Sequence, residues 1–316
     1  MTGGKAKEKS ILDAITHQPV VTGGVWALGN FDGVHLGHRA VIAAAVQEGK
    51  RLALPVHALT FDPHPHAFFQ KDKRPFLLTP PEAKRHLLLE AGADDVATLP
   101  FTPAFAALTP EAFIQDVLIG ACQAAHVVVG FDFVFGRGRG GDGRALRQKL
   151  EPLGVGVTSA PPKRDEGGEI ISSSRIRAAV RKGDVASAAK LLGRPFTLSG
   201  VVLAGEGRGR TLGFPTANIA LGALAQPLQG VYAIKARSQE GGGETFCGVA
   251  NFGVRPTFGE APALLEVHLF DFNGDIYGQV WEVELHRFLR PEMTFDGLAA
   301  LQAQIQKDVE AARQTF

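Results

Sequence analysis

The stretch GNFDGVHLGH, residues 29–38, lies where an apolar strand-like run turns into a helical pattern. The run before it is GGVWAL, and the segment after it, RAVIAAAVQEGK, indicates a helix. The stretch contains several glycines and two histidines, His35 and His38. A strand, a glycine-bearing turn and a helix N-terminus together form an arrangement suited to bind anions. This stretch therefore predicts both a fold and a site.

Strand-like and helical segments alternate around this stretch, from Val20 to Gly183. Runs such as LALPVHALTF (52–61) and AHVVVGFDF (125–133) are almost continuously apolar, and helical patterns lie between them. This alternation is typical of α/β proteins, in which helices cover both faces of a parallel sheet. Ligands of such sheets bind beyond the carboxyl ends of the strands.

The pattern changes after Phe196 to short strands separated by glycine-rich and Asn-Gly turns, which predicts a small antiparallel β-barrel. The last segment, residues 296–314, has the apolar spacing of a helix that closes one side of the barrel. Between the halves, the segment that starts at Ile171 predicts two short helices capped by serines. We therefore expect one domain at 1–184, with linker helices from about residue 172, and a second at 185–316.

Composition narrows the class of protein. A chain of 316 residues exceeds the usual size of one hydrophobic core, so two domains are expected. A net charge of +1 argues against a nucleic-acid partner. Two cysteines, Cys122 and Cys247, lie in apolar contexts typical of free thiols in a reducing compartment. The first residues lack a secretory signal and no apolar run is long enough to span a membrane, so we expect a cytoplasmic protein.

Three interpretations of the histidine pair remain open from the residues alone. His35 and His38 are metal ligands if a third ligand comes from Asp62, His64 or His66 in FDPHPH, which would suit a metal-dependent hydrolase. They are core residues if the loop packs inward, which is unusual for a glycine-flanked loop. They bind phosphates if their N–H groups and the helix N-terminus stabilise a pyrophosphate leaving group, as adenylyl transfer requires.

A second glycine-rich stretch, GEGRGRTLGFPTANI (205–219), lacks the GK[ST] ending of a P-loop. If PTANI enters a strand, Thr216 and Asn218 lie on the same face. Their oxygens suit Mg²⁺ bound to ATP phosphates, while glycines allow backbone amides to approach the same phosphates. A β-hairpin with a glycine bulge explains the stretch equally well.

In LLEVHLFDF (264–272), alternation places Glu266 and His268 on one face of a strand. A glutamate on a strand often faces solvent. Phosphoryl transfer to an alcohol, however, benefits from a carboxylate that orients the hydroxyl and accepts its proton. Glu266 is our candidate for that base.

Three segments resemble, in order and spacing, the N-terminal module of bacterial bifunctional riboflavin kinase/FAD synthetases: GNFDGVHLGH, GFDFVFGRGRGGDG (130–143) and ISSSRIR (171–177). Alone, the second indicates a mobile loop and the third a capped helix. The resemblance implies a Rossmann-like nucleotidyltransferase domain of the HxGH type. It assigns ATP phosphates to His35 and His38, further ATP contacts to Gly29, Asn30, Phe31, Asp32, Gly33, Ser173, Ser174 and Arg177, and flavin contacts to Asp62, His64, Asp132 and Phe133. The family usually has threonine where Ser174 stands, which keeps the hydroxyl.

The remaining sequence resembles the riboflavin kinase module of the same family in GRTLGFPTANI, GVANFGVRPTFG, LLEVHLFDFNGDIYG and LRPEMTFDGLAALQAQI. The resemblance makes Glu266 the catalytic base. It assigns the metal to Thr216 and Asn218, ATP to Gly205, Gly209, Arg210, Gly213 and Pro215, and flavin to Arg290, Glu292 and Phe295. Pro291 stands where the family often has an acidic residue.

The resemblance implies a cytoplasmic transferase with two active sites. One phosphorylates riboflavin to FMN with ATP and Mg²⁺, and the other adenylylates FMN with a second ATP to FAD and pyrophosphate. In-line attack on positioned phosphates needs no covalent enzyme intermediate. The alternatives are a metal-dependent hydrolase and a flavin-binding regulator without turnover.

Overall fold

The computed structural model describes residues 22–70, 75–203, 213–240, 243–253 and 263–316. The chain divides into two compact units: the first comprises Met1–Lys73 and Pro81–Ile171, and the second Arg74–Pro80 and Ser172–Phe316. The short segment before Pro81 belongs to the second unit because its backbone pairs there. Leu77 donates to the Ala223 carbonyl (3.1 Å) and accepts from the Ala225 N–H (2.7 Å).

The first unit is built on a parallel sheet of five strands in the order β3-β2-β1-β4-β7. These strands are β1 Val25–Leu28, β2 Val56–Asp62, β3 Asp95–Pro100, β4 His126–Gly130 and β7 Gly156–Ala160. A small antiparallel pair, β5 Val134–Phe135 and β6 Gly141–Asp142, lies between β4 and β7 in the sequence. The predicted α/β architecture with a parallel sheet is confirmed.

Helices follow most of these strands. They are α1 Leu36–Leu52, α2 Pro65–Phe69, α3 Pro81–Glu90, α4 Pro103–Ala106, α5 Pro110–Ala112 and α6 Gly143–Leu150, and a π-helix at Phe113–Ala121 continues α5. Successive residues of β1 enter different cores: Trp26 packs in a cluster with residues of the π-helix and α6, and Ala27 in a cluster with residues of α1. Both faces of the sheet are therefore covered, which explains its continuously apolar strands.

The second unit contains a closed barrel of six strands in the order β10-β11-β12-β9-β8-β13, all antiparallel. The strands are β8 Phe196–Leu203, β9 Ala217–Ala220, β10 Gly230–Ser238, β11 Phe246–Gly253, β12 Leu264–Leu269 and β13 Val280–Arg290. The helices are α7 Ser173–Arg181, α8 Val185–Leu192 and the terminal α9 Leu298–Arg313. The predicted barrel, its two preceding helices and its terminal helix are all present. None of the helices within the described ranges is both long and apolar enough to cross a membrane.

Candidate functional site

Three of the segments predicted to form the site lie at the carboxyl edge of the parallel sheet. β1 pairs with both β2 and β4. Strands β2 and β3 are therefore added on one side of β1, and β4 and β7 on the other side. This switch point is where open α/β sheets bind ligands. The segments that leave these strands begin at Gly29, Pro63 and Phe131. The sheet therefore brings the paired histidines, FDPHP and GFDF to one edge.

The turn of residues 29–35 is tightly built. Phe31 and Val34 have positive φ values of 50° and 38°, and Gly33 has a φ of 90°. Thr60 donates its hydroxyl to the Asn30 carbonyl (3.0 Å), which ties the turn to β2. Strained backbone of this kind concentrates at ligand-binding sites. The side chains of Phe31 and Val34 are buried, which holds the turn in this conformation.

His35 is the N-cap of α1 and not a residue of its first turn. Its Nδ1 accepts hydrogen bonds from the backbone N–H groups of Gly37 (3.1 Å) and His38 (3.2 Å). A nitrogen that accepts carries no proton, so in the neutral ring Nε2 carries the N–H. The cap therefore fixes the tautomer and leaves Nε2 as a hydrogen-bond donor.

The rings of His35 and His38 stack, with centroids 3.6 Å apart and planes inclined by 16°. Two positive charges at this separation repel, so the geometry disfavours simultaneous protonation. Gly37 permits the arrangement because a Cβ at this position would lie 2.9 Å from His35 Cε1. The glycine of HLGH is therefore required by the histidine ring beside it.

The flavin-side residues of the first unit have different exposures. His64 is buried and caps α2, since its Nδ1 accepts from the His66 N–H (3.0 Å). Asp62 and Asp132 are exposed. The Phe133 ring is half-buried and stacks on another phenylalanine of the core.

The described residues of this unit provide no set of metal ligands for a metal-dependent hydrolase. Across the described ranges of the chain, no three or more histidine, cysteine, aspartate or glutamate side chains are grouped to hold a metal ion. His35, His38 and His64 all lie within those ranges. The metal interpretation of the histidine pair is therefore wrong on geometry.

An aromatic cluster beside α2 was missed by the sequence analysis. The rings of Phe68, Phe69 and Phe101 contact one another with centroids 5.1 to 5.9 Å apart, and Phe69 is 66% exposed. Phe101 follows β3, so the cluster lies at the carboxyl edge of the sheet. The signal in the sequence was the adjacent pair of phenylalanines that follows FDPHPH after Ala67.

In the second unit, three polar residues form a row across the outside of the barrel. Glu266 on β12 is the direct partner of Asn218 on β9 and of Asn251 on β11. All three are half-buried, whereas their neighbours along each strand are buried in the barrel. Thr216 precedes β9 by one residue. PTANI therefore enters a strand, which is the condition for the Mg²⁺ site predicted at Thr216 and Asn218.

The side chain of Asn218 on β9 has a buried oxygen. Its Oδ1 is shielded from solvent and has no hydrogen-bond partner among the described residues. A buried carboxamide oxygen left unpaired costs free energy. Oxygens of this type suit Mg²⁺, so the Asn218 carboxamide fits the predicted ion.

Asn251 was not predicted, although it is a polar residue in the otherwise apolar strand FCGVANFG. Its Nδ2 donates to Glu292 Oε1 at 3.4 Å. Because Asn251 is also the register partner of Glu266, it links the predicted base to a residue of the predicted flavin-side segment.

A pocket of about 460 Å³ lies in the same unit, and its lining includes Pro215, just before Thr216, and His268, two residues after Glu266. His268 closes one side by donating Nδ1–H to the Pro215 carbonyl (2.9 Å). The pocket is lined by Gly213, Phe214, Pro215, residues 268–273, Gln306, Val309 and Arg313. Two of the predicted kinase ATP residues, Gly213 and Pro215, therefore line it; Gly205, Gly209 and Arg210 lie outside the described residues.

Arg290 binds a partner that the sequence did not indicate. Its guanidinium donates from Nε (2.9 Å) and Nη2 (2.8 Å) to the carboxylate of Asp308 on α9. Asp308 is only 6% exposed and also accepts from Gln304 (3.0 Å). The guanidinium lies 5.8 Å from the centre of the Phe295 ring. This pair anchors the terminal helix to the end of β13.

The predicted serine and arginine motif belongs to the second unit. Ser172 caps α7 by accepting from the Arg175 N–H (3.4 Å), and Ser173 and Ser174 are the first residues of the helix. Arg177 is buried: its Nε donates to the Phe76 carbonyl (2.8 Å) and its guanidinium lies 3.5 Å from the centre of the Phe76 ring.

Comparison with known proteins decides the family. Residues 17–175 match the family model for FAD synthetase, and residues 192–316 match the model for riboflavin kinase. The chain belongs to the bifunctional riboflavin kinase/FMN adenylyltransferase family. The resemblance inferred from the sequence motifs is confirmed, and so is the fold class.

Members of this family from distant bacteria are similar over nearly the whole chain. The bifunctional riboflavin kinase/FMN adenylyltransferase of Escherichia coli K12 is 42% identical over 93% of each chain. The protein of the same description from Bacillus subtilis is 41% identical over 92% of each. A crystal structure described as a macrolide-efflux protein from Streptococcus pneumoniae is 34% identical, covers 93% of this chain and 94% of its own, and has a TM-score of 0.82.

Proposed function

We infer that the chain carries out both reactions of its family, phosphorylating riboflavin to FMN and adenylylating FMN to FAD. The observation that carries this function is that each unit has its own polar site within a matched family region. We assign adenylyl transfer to a domain at 1–184 and the kinase to a domain at 185–316. Two ATP molecules are consumed, one at each site.

In adenylyl transfer, a phosphate oxygen of FMN attacks the α-phosphorus of ATP as the bond to the β-phosphate oxygen breaks. Pyrophosphate leaves with the charge that develops on that oxygen. The Nε2–H of His35 and the ring of His38 stabilise this charge, because the cap of α1 fixes the His35 ring and the His38 ring stacks on it. Gly29, Asn30, Phe31, Asp32 and Gly33 form the nucleotide turn.

FMN occupies the same edge of the sheet. Asp62, His64, Asp132 and Phe133 lie on its side of the site, and the exposed Phe69 offers a planar surface for the flavin ring. Ser173, Ser174 and Arg177 bind the triphosphate in this proposal. The contact with the Phe76 ring restricts where the Arg177 guanidinium can lie.

In the kinase reaction, Glu266 orients the terminal ribityl hydroxyl of riboflavin and accepts its proton while the oxygen attacks the γ-phosphorus of ATP. Thr216 and Asn218 hold Mg²⁺, and the unpaired Asn218 Oδ1 supports this assignment. The ion, when bound, offsets phosphate charge. Gly205, Gly209, Arg210, Gly213 and Pro215 bind ATP, and Arg290, Glu292 and Phe295 form the flavin side.

A cytoplasmic location completes the proposal. Both cysteines are free. Burial raises the pKa of the Cys122 thiol to about 12, so this thiol stays protonated and unreactive. Free, unpaired thiols are typical of a reducing compartment.

Product chromatography tests the proposed function. Incubation of the protein with riboflavin, ATP and Mg²⁺ should yield FMN first and then FAD. Incubation with FMN and ATP should yield FAD and pyrophosphate. A flavin-binding regulator would yield no FMN in a single-turnover assay, and that result would overturn the enzyme assignment.

A further inference from the structure

A buried lysine in the first unit takes no part in the mechanism described above. Lys84 lies on α3 and is only 5% exposed. Its ammonium donates to the carbonyl of Phe61 at 3.3 Å. Lysine is among the residues least often buried, because an ammonium removed from water loses a large solvation free energy. Its burial here calls for a compensating role.

The contact places Lys84 at the functional edge of the sheet. Phe61 is the penultimate residue of β2 and directly precedes Asp62 in FDPHP. Two carboxylates act on the ammonium: first Asp32, in the turn after β1, and then Asp62, at the end of β2. Burial lowers the pKa of Lys84, and the charges of these two aspartates oppose that effect.

The neighbouring residue on the same helix provides a contrast. Arg85 donates to the Val96 carbonyl (2.6 Å) and to the Asp95 carboxylate (2.9 Å). Asp95 and Val96 begin β3, so Arg85 anchors α3 at the amino edge of the sheet, away from the site. Lys84 anchors the same helix at the carboxyl edge. Loss of either residue weakens α3, but only loss of Lys84 alters the charge beside the site.

The charge balance has a direct consequence for the reactants. ATP and FMN are both polyanions, and Asp32, which is 2% exposed, places a carboxylate in the nucleotide turn itself. A carboxylate without a compensating cation would repel the phosphates through a medium that screens poorly. The Lys84 ammonium is bound to the end of β2 and is close enough to Asp32 and Asp62 for their charges to act on it.

We propose that Lys84 is a positioning residue for adenylyl transfer: its ammonium holds the end of β2 and offsets the charges of Asp32 and Asp62, so that the phosphates of ATP and FMN can approach. This role rests on the adenylyltransferase function proposed for the first unit.

The test compares Lys84→Met, Lys84→Gln, Lys84→Arg and Arg85→Met in the full chain. Steady-state FAD formation from FMN and ATP gives kcat and KM, FMN formation from riboflavin reports on the second unit, and thermal unfolding reports stability. Lys84→Gln keeps an N–H donor for the Phe61 carbonyl but removes the charge. We expect Lys84→Gln and Lys84→Met to raise KM for ATP and FMN by about tenfold, with a smaller loss in kcat.

The controls separate charge from anchoring. Lys84→Arg should restore most of the substrate affinity, and Arg85→Met should lower the unfolding temperature without raising KM. FMN formation should stay unchanged in all four variants. Wild-type KM in Lys84→Gln, or an equal rise in Arg85→Met, would overturn the positioning role. If Lys84→Met does not fold, Lys84→Gln decides. If the wild-type chain itself makes no FAD, the proposed function fails first.

Discussion

Glu266 and Asn218 are direct cross-strand partners on the outer face of the barrel. Side chains at directly opposed positions of an antiparallel pair lie close enough to act on one ligand. The register of β9 and β12 therefore places the proposed base next to the proposed metal ligand. The pairing explains why residues almost fifty positions apart in the chain can serve one phosphoryl transfer.

Replacement of Glu266 by glutamine should abolish FMN formation while FAD formation from added FMN continues. The amide keeps the size of the side chain but cannot accept the hydroxyl proton, which should lower kcat by about 10²-fold or more. Parallel assays of the two reactions on one preparation provide the control. An unchanged kinase rate would remove Glu266 as the base.

Replacement of Asn218 by alanine should raise the Mg²⁺ concentration needed for half-maximal FMN formation by about tenfold, because a ligand oxygen is lost. A Mg²⁺ titration at saturating ATP measures the effect. Asn251→Ala is the matched control: it lies in the same row but keeps the proposed ligand set. Equal Mg²⁺ requirements in both variants would contradict the metal assignment.

Two substitutions of His35 separate its helix cap from its chemistry. His35→Ala removes both the cap and the Nε2–H donor, whereas His35→Asn keeps a residue that caps helices well. FAD formation should fall by about 10²-fold or more in both variants. Only His35→Ala should also lose about 1 kcal/mol of unfolding free energy. Full activity in His35→Asn would show that the cap alone matters.

Loss of the Arg290 partner should destabilise the second unit. Removing Asp308 leaves a poorly solvated guanidinium without its counter-charge, so Asp308→Asn should cost about 3 kcal/mol in chemical denaturation. Arg313→Met is the control, because the Arg313–Asp271 pair is exposed, and it should cost less than about 1 kcal/mol. Similar costs for the two variants would show that burial does not set the strength of the Arg290 pair.

Acid should lower the free energy of unfolding of the first unit, because His57 is buried there. This side chain is 2% exposed, and its ring nitrogens have no hydrogen-bond partner within the described part of the chain. Burial lowers its pKa, so the unfolded chain binds the proton more readily than the folded one. The stability that His57 contributes is therefore present above about pH 6.5 and falls as the pH drops below it.

Denaturation at pH 7.5 and pH 5.5 measures this effect. His57→Phe should lose less unfolding free energy between the two pH values than the wild-type chain. His86→Gln, at an exposed position on α3, should behave like the wild type. Identical pH dependence in His57→Phe and the wild type would assign the acid sensitivity to another group.

Much of the fold could be predicted because it depends on local patterns. The alternation of apolar runs and helical segments indicated the parallel sheet, and the short strands with their turns indicated the barrel. The motif around His35 and His38 also acts locally: the turn, the cap and the glycine that admits the ring all lie within residues 29–38. The sequence left open whether PTANI enters a strand, and the structure places Ala217–Ala220 in β9.

Other features depend on contacts between distant residues. The motif around Arg177 predicted a phosphate contact, but it gave no sign of Phe76, 101 positions away, whose carbonyl accepts from the Arg177 Nε. The sequence around Arg290 predicted a flavin-side residue, but it did not indicate that Asp308 on α9 pairs with its guanidinium. Asn251 enters the row with Glu266 only through the register of β11 and β12.

By itself, the sequence determined the two-part architecture, the chemical types of the site residues and the local turns, since these follow from periodicity and from interactions within a few residues. Only the tertiary structure decided which side chains share a face, which charges are buried and which of them are already paired. Lys84 shows the difference: on α3 it is one charged residue among several, and its burial between Phe61 and two aspartates follows only from packing. The physical reason is that desolvation and charge pairing depend on distance in space, which strand register and helix packing set.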